Sequence, residues 1–216
     1  MSFILKIFEK SEKFEIKSKY DVMYANILII FVCLFPISLL TGPFLPDLTI
    51  FICSFFFIYL IFKYKLFEYF NNYLFKFFFI FWIYIVLNSL LSENISFSLK
   101  SSFFYARFFI FSVFISFLIK NYNYFTRCFF YFLTLTLIIV LIESFLQFFF
   151  GKGLMGFEKP GLRLTGPFGD RQIVGSFIMR LLPLYLFLFY FINHKVNYKL
   201  ISFLFFLTIL VLISGE

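Results

Sequence analysis

Residues 128–150 read CFFYFLTLTLIIVLIESFLQFFF and contain one charged residue, Glu143. An apolar stretch of this length matches the roughly 17–25 residues that a helix needs to cross the hydrocarbon core of a bilayer. Because hydrocarbon offers no water to backbone N–H and C=O groups, a spanning segment must satisfy them internally, as a helix does. The stretch therefore predicts a transmembrane helix that carries an acidic side chain inside the membrane.

Six further apolar runs surround this one, and most have a similar length. With it they occupy residues 24–40, 46–62, 77–91, 103–119, 128–150, 173–192 and 200–213. The whole chain is 62% hydrophobic and 14% charged, whereas soluble domains are about 45–50% apolar and about 25% charged. We therefore predict an all-α, polytopic membrane protein with about seven transmembrane helices and the lipid bilayer as its solvent.

The basic residues between the runs predict how the helices are oriented. Most of the 19 Lys and Arg residues fall before the first run or after the second, fourth and sixth runs, which places them on one side. The positive-inside tendency makes that side, and the N-terminus, cytoplasmic. Residues 1–23 then form an amphipathic segment on the inner surface, followed by a transmembrane domain over residues 24–216. This topology accounts for most of the net charge of +8, so no nucleic-acid partner is expected.

One connection runs against this charge pattern. The predicted outer loop, residues 151–172, contains Lys152, Lys159, Arg163 and Arg171. One interpretation is chance or a rim that faces lipid headgroups. The other is a binding site for an anionic ligand, because guanidinium groups bind phosphate through paired hydrogen bonds.

Charged residues inside the predicted spans also suggest a site. Glu143 and Arg180 each lie about 10 Å below the outer edge at 1.5 Å per residue, and Arg107 lies in the fourth run. Gln147 follows Glu143 by one helical turn and shares its face. Intramembrane charges are costly and often functional, but a purely structural Glu143–Arg180 ion pair would also explain two of them.

Other kinds of site lack support in the sequence. The residues GKGLMG at 151–156 fit a dinucleotide-binding pattern, but they follow a membrane span and not a strand. The glycines are expected to let the chain leave a helix and turn. Cys33, Cys53 and Cys128 have no metal-ligand spacing, and His194 is expected to cap its helix. No metal or cofactor is expected.

The stretch from the fifth to the seventh run resembles the O-antigen ligase / O-antigen polymerase family of bacterial surface-polysaccharide enzymes. The residues that carry the resemblance are Glu143, Gln147, GKGLMG at 151–156, RLTGPFGD at 163–170, GSF at 175–177, RLLP at 180–183 and ISGE at 213–216. The resemblance implies a multi-pass glycosyltransferase of the bacterial inner membrane that uses a polyprenyl-diphosphate-linked glycan as donor at the periplasmic face. The acceptor would be a second lipid-linked repeat in a polymerase, or the lipid A core in a ligase.

The chain departs from the pattern of that family in two respects. Family members have ten or more spans, and the ligases have a catalytic histidine in a large outer loop, whereas this sequence stops at Glu216 before such a loop. We therefore expect it to be incomplete at the C-terminus. In addition, Arg171 occupies a position where the family leads us to expect an acidic residue.

The resemblance and the charge pattern together assign roles to named residues. Arg163, with Arg180 or Arg107, is expected to hold the donor diphosphate and to stabilise it as it leaves, so Arg163 and Arg180 are the catalytic candidates. The remaining candidates for substrate binding are Arg107, Glu143, Gln147, Lys152, Asp170 and Arg171. Asp170 is expected to orient Arg163 or to cap the next helix. The alternatives are a transporter or flippase for an anionic lipid or solute, and a non-catalytic fragment.

Overall fold

Regular structure in this chain is helical wherever the structure describes it. A computed structural model describes residues 19–122, 124–158, 163–195 and 197–215. These residues form eight α-helices: α1 Lys19–Ser38, α2 Phe44–Tyr64, α3 Tyr73–Ser89, α4 Ile95–Phe104, α5 Ala106–Asn121, α6 Phe125–Phe150, α7 Val174–Asn193 and α8 Tyr198–Ser214. The predicted all-α class is confirmed for these residues. Most of the predicted surface segment 1–23, together with Lys159 and Glu216, lies outside them.

Five helical stretches are long and apolar enough to cross a membrane. They are Met23–Thr41, Phe44–Tyr64, Ile95–Asn121, Phe125–Phe150 and Val174–Asn193. Two further apolar helices, Phe75–Ser89 and Leu200–Ser214, are shorter. All seven predicted runs are therefore helical, and five of them have spanning length on their own.

The fourth stretch begins earlier than its hydropathy predicts. Hydropathy predicts a connection at residues 95–102, but they form most of α4. Tyr105, between α4 and α5, keeps helical dihedrals of −62° and −24°. Ser102 Oγ donates a hydrogen bond to the Ser98 carbonyl at 2.8 Å. A serine hydroxyl bound in this way to the preceding turn is compatible with a helix, although serine alone favours turns. Lys100 consequently lies on a helix and not in a loop.

The chain divides into two compact units, and the first comprises residues up to Val32 together with Pro46–Phe125. Its core joins α2 to α5 through aromatic rings. The Phe57 ring lies 5.2 Å from that of Phe114 and 5.6 Å from that of Phe117, and all three side chains are fully buried. Aromatic pairs at such distances stabilise by about 0.5–1.5 kcal/mol beyond the burial of their area.

The second unit comprises Cys33–Leu45 and the residues from Thr126 onward. Leu137 of α6, Ile178 of α7 and Leu207 of α8 are fully buried in its core, and Leu164 from the connection between α6 and α7 joins them. His194 lies at the C-cap of α7, where its N–H donates to the Tyr190 carbonyl at 2.9 Å, as the sequence predicts. The core thus fixes three helices and one part of the intervening connection.

Candidate functional site

Near the C-terminal end of α6, one face of the helix carries three buried polar side chains. Glu143, Ser144 and Gln147 are 3%, 0% and 0% exposed. Glu143 and Gln147 are four residues apart, so they lie one above the other on the helix. A polar group buried among apolar helices is costly unless hydrogen bonds replace its contacts with water. The hydrogen-bond partners of these three side chains therefore show which part of the chain this face of α6 holds.

Glu143 binds the backbone of the α6–α7 connection, which we define as residues 151–173. Its Oε2 accepts a hydrogen bond from the Leu154 N–H at 3.0 Å, and its Oε1 accepts one from the Met155 N–H at 2.8 Å. A carboxylate offers only acceptors, so two backbone donors suit it. The side chain thereby holds a turn of irregular backbone against the helix.

The glycines of residues 151–156 make this arrangement possible. Gly151 ends α6 with a φ of +74° and donates its N–H to the Gln147 carbonyl, as expected of a glycine that terminates a helix. Gly153 passes so close to Glu143 that an added Cβ would collide with the carboxyl group. The predicted helix exit is confirmed, and the second glycine leaves room for the acidic side chain.

Gln147 holds a later part of the connection. Its Oε1 accepts hydrogen bonds from the N–H groups of Thr165 and Gly166, both at 2.9 Å. Its Nε2 donates to Thr165 Oγ1 at 2.8 Å and to the Phe157 carbonyl at 3.5 Å. Both ends of the amide are therefore used, and the residues around Thr165 are tied to α6.

Ser144 is the third polar side chain of this face, and it is not among the site residues predicted from the sequence. An added Cβ on Gly166, whose φ is +52°, would come within 2.5 Å of Ser144 Oγ. The buried hydroxyl has no hydrogen-bond partner among the described residues. Thr165 was missed as well, although it lies within the RLTGPFGD stretch. The only signal in the sequence for Ser144 and Thr165 was their position next to the predicted site residues Glu143 and Arg163.

The basic residues of the connection lie at its surface. Lys152, Arg163 and Arg171 are exposed, and Lys152 Nζ pairs with Glu158 Oε1 at 3.2 Å. Arg163 immediately precedes the buried segment Leu164–Pro167. Arg163 is therefore an exposed cation that lies next to backbone held by Gln147.

The end of α8 also contacts this part of the connection. The Leu164 N–H donates to the Ser214 carbonyl at 3.4 Å, and the Arg163 stem lies close to Gly215, since an added Cβ there would be 3.3 Å from Arg163 Cγ. The ISGE residues and the RLTGPFGD residues, which share in the family resemblance, are thus neighbours in the structure.

The other candidates are placed differently from what was expected. Arg180 is exposed on α7, and within the described part of the chain no ion pair joins it to Glu143. Asp170 is exposed and forms no ion pair with Arg163 there, and the N-cap of α7 is Ile173. Arg107 belongs to the first unit, where it pairs with Asp47 at 2.9 Å. The structure thus brings Glu143 and Gln147 together with the connection but does not pair Glu143 with Arg180.

The described residues contain no group of three His, Cys, Asp or Glu side chains that could hold a metal ion. The second unit presents exposed cations, among them Lys152 and Arg163, next to backbone that Glu143 and Gln147 hold. In comparisons with known proteins, the chain matches no family model, no curated protein and no solved structure.

Proposed function

We propose that this chain belongs to an enzyme that transfers a polyprenyl-diphosphate-linked glycan at the periplasmic face of the bacterial inner membrane, of the O-antigen polymerase or ligase type. The observation that carries the proposal is the placement of Arg163. Its guanidinium is exposed, while the backbone two and three residues later is fixed by Gln147. Because the backbone is already held, the ordering cost of binding a phosphate oxygen is mainly that of the Arg163 side chain, about 0.5–1.5 kcal/mol.

The proposed reaction needs an anion site at the leaving group. The bond between the anomeric carbon of the glycan and the diphosphate breaks, and the acceptor hydroxyl forms a new glycosidic bond as it loses its proton. Negative charge develops on the diphosphate, where Arg163 donates paired hydrogen bonds. One preorganised donor at such a position is worth about 3–4 kcal/mol of transition-state stabilisation. Arg180, in the same unit, supplies a second guanidinium for the diphosphate, and Lys152 and Arg171 raise the local positive potential.

The proposal includes a topology. Seven crossings with a cytoplasmic N-terminus place the α6–α7 connection outside and Lys195 inside, in agreement with the distribution of basic residues. Single cysteines introduced as Arg171→Cys and Lys195→Cys, in a background without the native cysteines, distinguish the two faces. A membrane-impermeant maleimide should label only the first in intact spheroplasts. Labelling of Lys195→Cys alone would contradict the topology and the proposal.

Substitution of Arg163 tests the chemistry. In the protein as the cell makes it, Arg163→Ala should remain in the membrane but abolish long polysaccharide chains, and Arg163→Lys should restore them only in part. Lys195→Ala, a matched removal of an exposed cation, should leave chain length unchanged. Normal chain length with Arg163→Ala would refute the proposed role.

A purified system separates this function from transport. The protein is reconstituted in vesicles with a labelled polyprenyl-diphosphate oligosaccharide and an acceptor. Elongated or transferred glycan supports the proposal. Movement of the labelled lipid across the bilayer without any transferred product would support the transporter alternative. The absence of both transfer and movement would indicate a non-catalytic fragment.

A further inference from the structure

Two cavities that share lining residues lie in the first unit, outside the connection that Glu143 and Gln147 hold. The larger, about 430 Å³, is lined by Lys100, Ser101 and Tyr105 among other residues. The smaller, about 150 Å³, has an almost wholly apolar lining that includes Phe51, Phe55 and Ile58 of α2. Phe104 and Arg107 line both cavities. The larger space is a half-open face of residues 97–108, and the smaller lies between this stretch and α2. We call the two together the groove, which has a cationic part and an apolar part.

Contacts with α2 hold Arg107 in place beside both cavities. Its Nη2 binds Asp47 Oδ2 at 2.9 Å, and its carbonyl accepts a hydrogen bond from Ser54 Oγ at 2.9 Å, which fixes the helix backbone. Its Nε is buried and has no hydrogen-bond partner among the described residues. Nε itself is closed to a ligand, so an external acceptor would have to bind the remaining part of the Arg107 guanidinium, whose side chain is 25% exposed.

Lys100 supplies a second cation on the same helical rod. It precedes Arg107 by seven residues, which is two turns and roughly 10 Å along the axis. Both side chains lean toward the N-terminal end of the helical stretch Ile95–Asn121, so their separation stays close to this rise, and a phosphate group spans it with both long side chains extended toward it. A phosphate group between them would meet both cations, and Ser101 and Tyr105 add hydroxyl groups to the same cavity.

The order of residues along α2 gives the groove a direction. Asp47 lies in the first turn of α2, whereas Phe51, Phe55 and Ile58 follow at successively greater distances from that end. The cationic part of the groove is thus nearer Asp47 at the start of α2, and the apolar part runs toward the middle of α2 and along residues 103–110. A lipid has the same layout, with a charged headgroup at the interface and a chain in the hydrocarbon.

We infer that the first unit binds an acidic phospholipid of the bilayer in this groove. The phosphate lies between Lys100 and Arg107, and an acyl chain lies along the apolar part between α2 and the α4–α5 rod. The two cations exceed the one carboxylate, Asp47, so an anionic headgroup is favoured over a zwitterionic one, which would bring a positive charge of its own. This inference uses only the first unit and stands or falls separately from the proposed enzymatic function.

Native mass spectrometry of the full chain tests the site. The protein is released from nanodiscs that contain equal amounts of phosphatidylglycerol and phosphatidylcholine, and the bound lipids are counted. Wild type should retain phosphatidylglycerol preferentially. Lys100→Glu should weaken that retention roughly tenfold, because it replaces an attraction with a repulsion. Lys76→Glu reverses the charge of an exposed lysine of the same unit outside both cavities, so it serves as the matched control and should behave like wild type.

A second variant guards against simple misfolding. Arg107→Lys keeps a cation that can pair with Asp47 but loses the planar guanidinium that binds a phosphate through paired hydrogen bonds, so phosphatidylglycerol should be held several-fold more weakly while the melting temperature stays near that of wild type. Equal retention by wild type, Lys100→Glu and Arg107→Lys would overturn the inference. So would an equal loss in Lys76→Glu, or preferential capture of a polyprenyl phosphate when it is supplied together with phosphatidylglycerol.

Discussion

The two units of the molecule place polar groups in apolar helices by different means. In the first, Arg107 meets Asp47 side chain to side chain, and these side chains are 25% and 49% exposed. In the second, Glu143 and Gln147 are almost fully buried and bind backbone N–H groups. A half-exposed ion pair can lose one partner to solvent or headgroups, whereas buried backbone donors have no other acceptor. The second unit should therefore be much more sensitive to substitution.

The largest effect is expected when Gln147 is replaced. Gln147→Leu keeps the volume but leaves the N–H groups of Thr165 and Gly166 buried without an acceptor. The free energy of unfolding should fall by about 2–4 kcal/mol, because each unpaired buried donor costs about 1–3 kcal/mol. Unfolding in mixed micelles measures the loss, and hydrogen exchange at residues 165 and 166 should accelerate.

Thr208→Val is the matched control for this substitution. Thr208 is exposed on α8, and its hydroxyl donates only to the Phe205 carbonyl of its own helix. Its loss should change the free energy of unfolding by less than about 0.5 kcal/mol. Equal effects of the two substitutions would show that Gln147 does not anchor the connection.

Two glycines of the same connection give a smaller effect and a sharper contrast. Gly153→Ala places a methyl group against the Glu143 carboxyl, so we expect a loss of about 2 kcal/mol and faster hydrogen exchange at Leu154 and Met155. Gly156→Ala has open space around its Cβ, and its cost should be about 1 kcal/mol from its φ of +84° alone. The reverse order of the two effects would contradict the packing of Gly153 against Glu143.

The sequence predicts the helices far better than it predicts the contacts of the charged residues. Runs of apolar side chains report directly on burial in lipid, and all seven appear as helices. The start of α4 at Ile95 was not predicted, because a serine-rich stretch reads as a polar loop even where the serine hydroxyls bind the backbone of their own helix. The hydropathy pattern therefore predicts which segments are helical, whereas the start of α4 depends on local hydrogen bonds.

The partners of Glu143 show why the candidate site is harder to predict. A buried carboxylate in the sequence suggests a basic side chain as its partner, and Arg180 has a matching depth. Its actual partners are the N–H groups of Leu154 and Met155, which every residue type except proline possesses. No residue type in the sequence marks such a partner. The glycines at 151–156 predicted the exit from α6 but not the pocket around the carboxyl group.

The ion pair of the first unit should contribute little. Asp47→Asn removes one charge from a pair whose acidic side chain is about half exposed, so the expected loss in the free energy of unfolding is below about 1 kcal/mol after allowance for solvent screening. Thermal unfolding in a non-ionic detergent should show the difference at low ionic strength and a smaller one at high ionic strength. A loss as large as that of Gln147→Leu would remove the contrast between the two units.

The smallest expected effect is a coupling close to zero between Glu143 and Arg180. If the two formed an ion pair, Glu143→Gln and Arg180→Gln together would cost much less than the sum of their separate effects. Because both carboxyl oxygens are bound to backbone N–H groups and Arg180 is exposed, the two effects should instead add to within about 0.5 kcal/mol. Unfolding of the two single variants and the double variant in mixed micelles provides the cycle. A coupling above about 1 kcal/mol would support the ion pair, and would mean that the Glu143 carboxylate stabilises the packing of α6 against α7 more than it stabilises the connection.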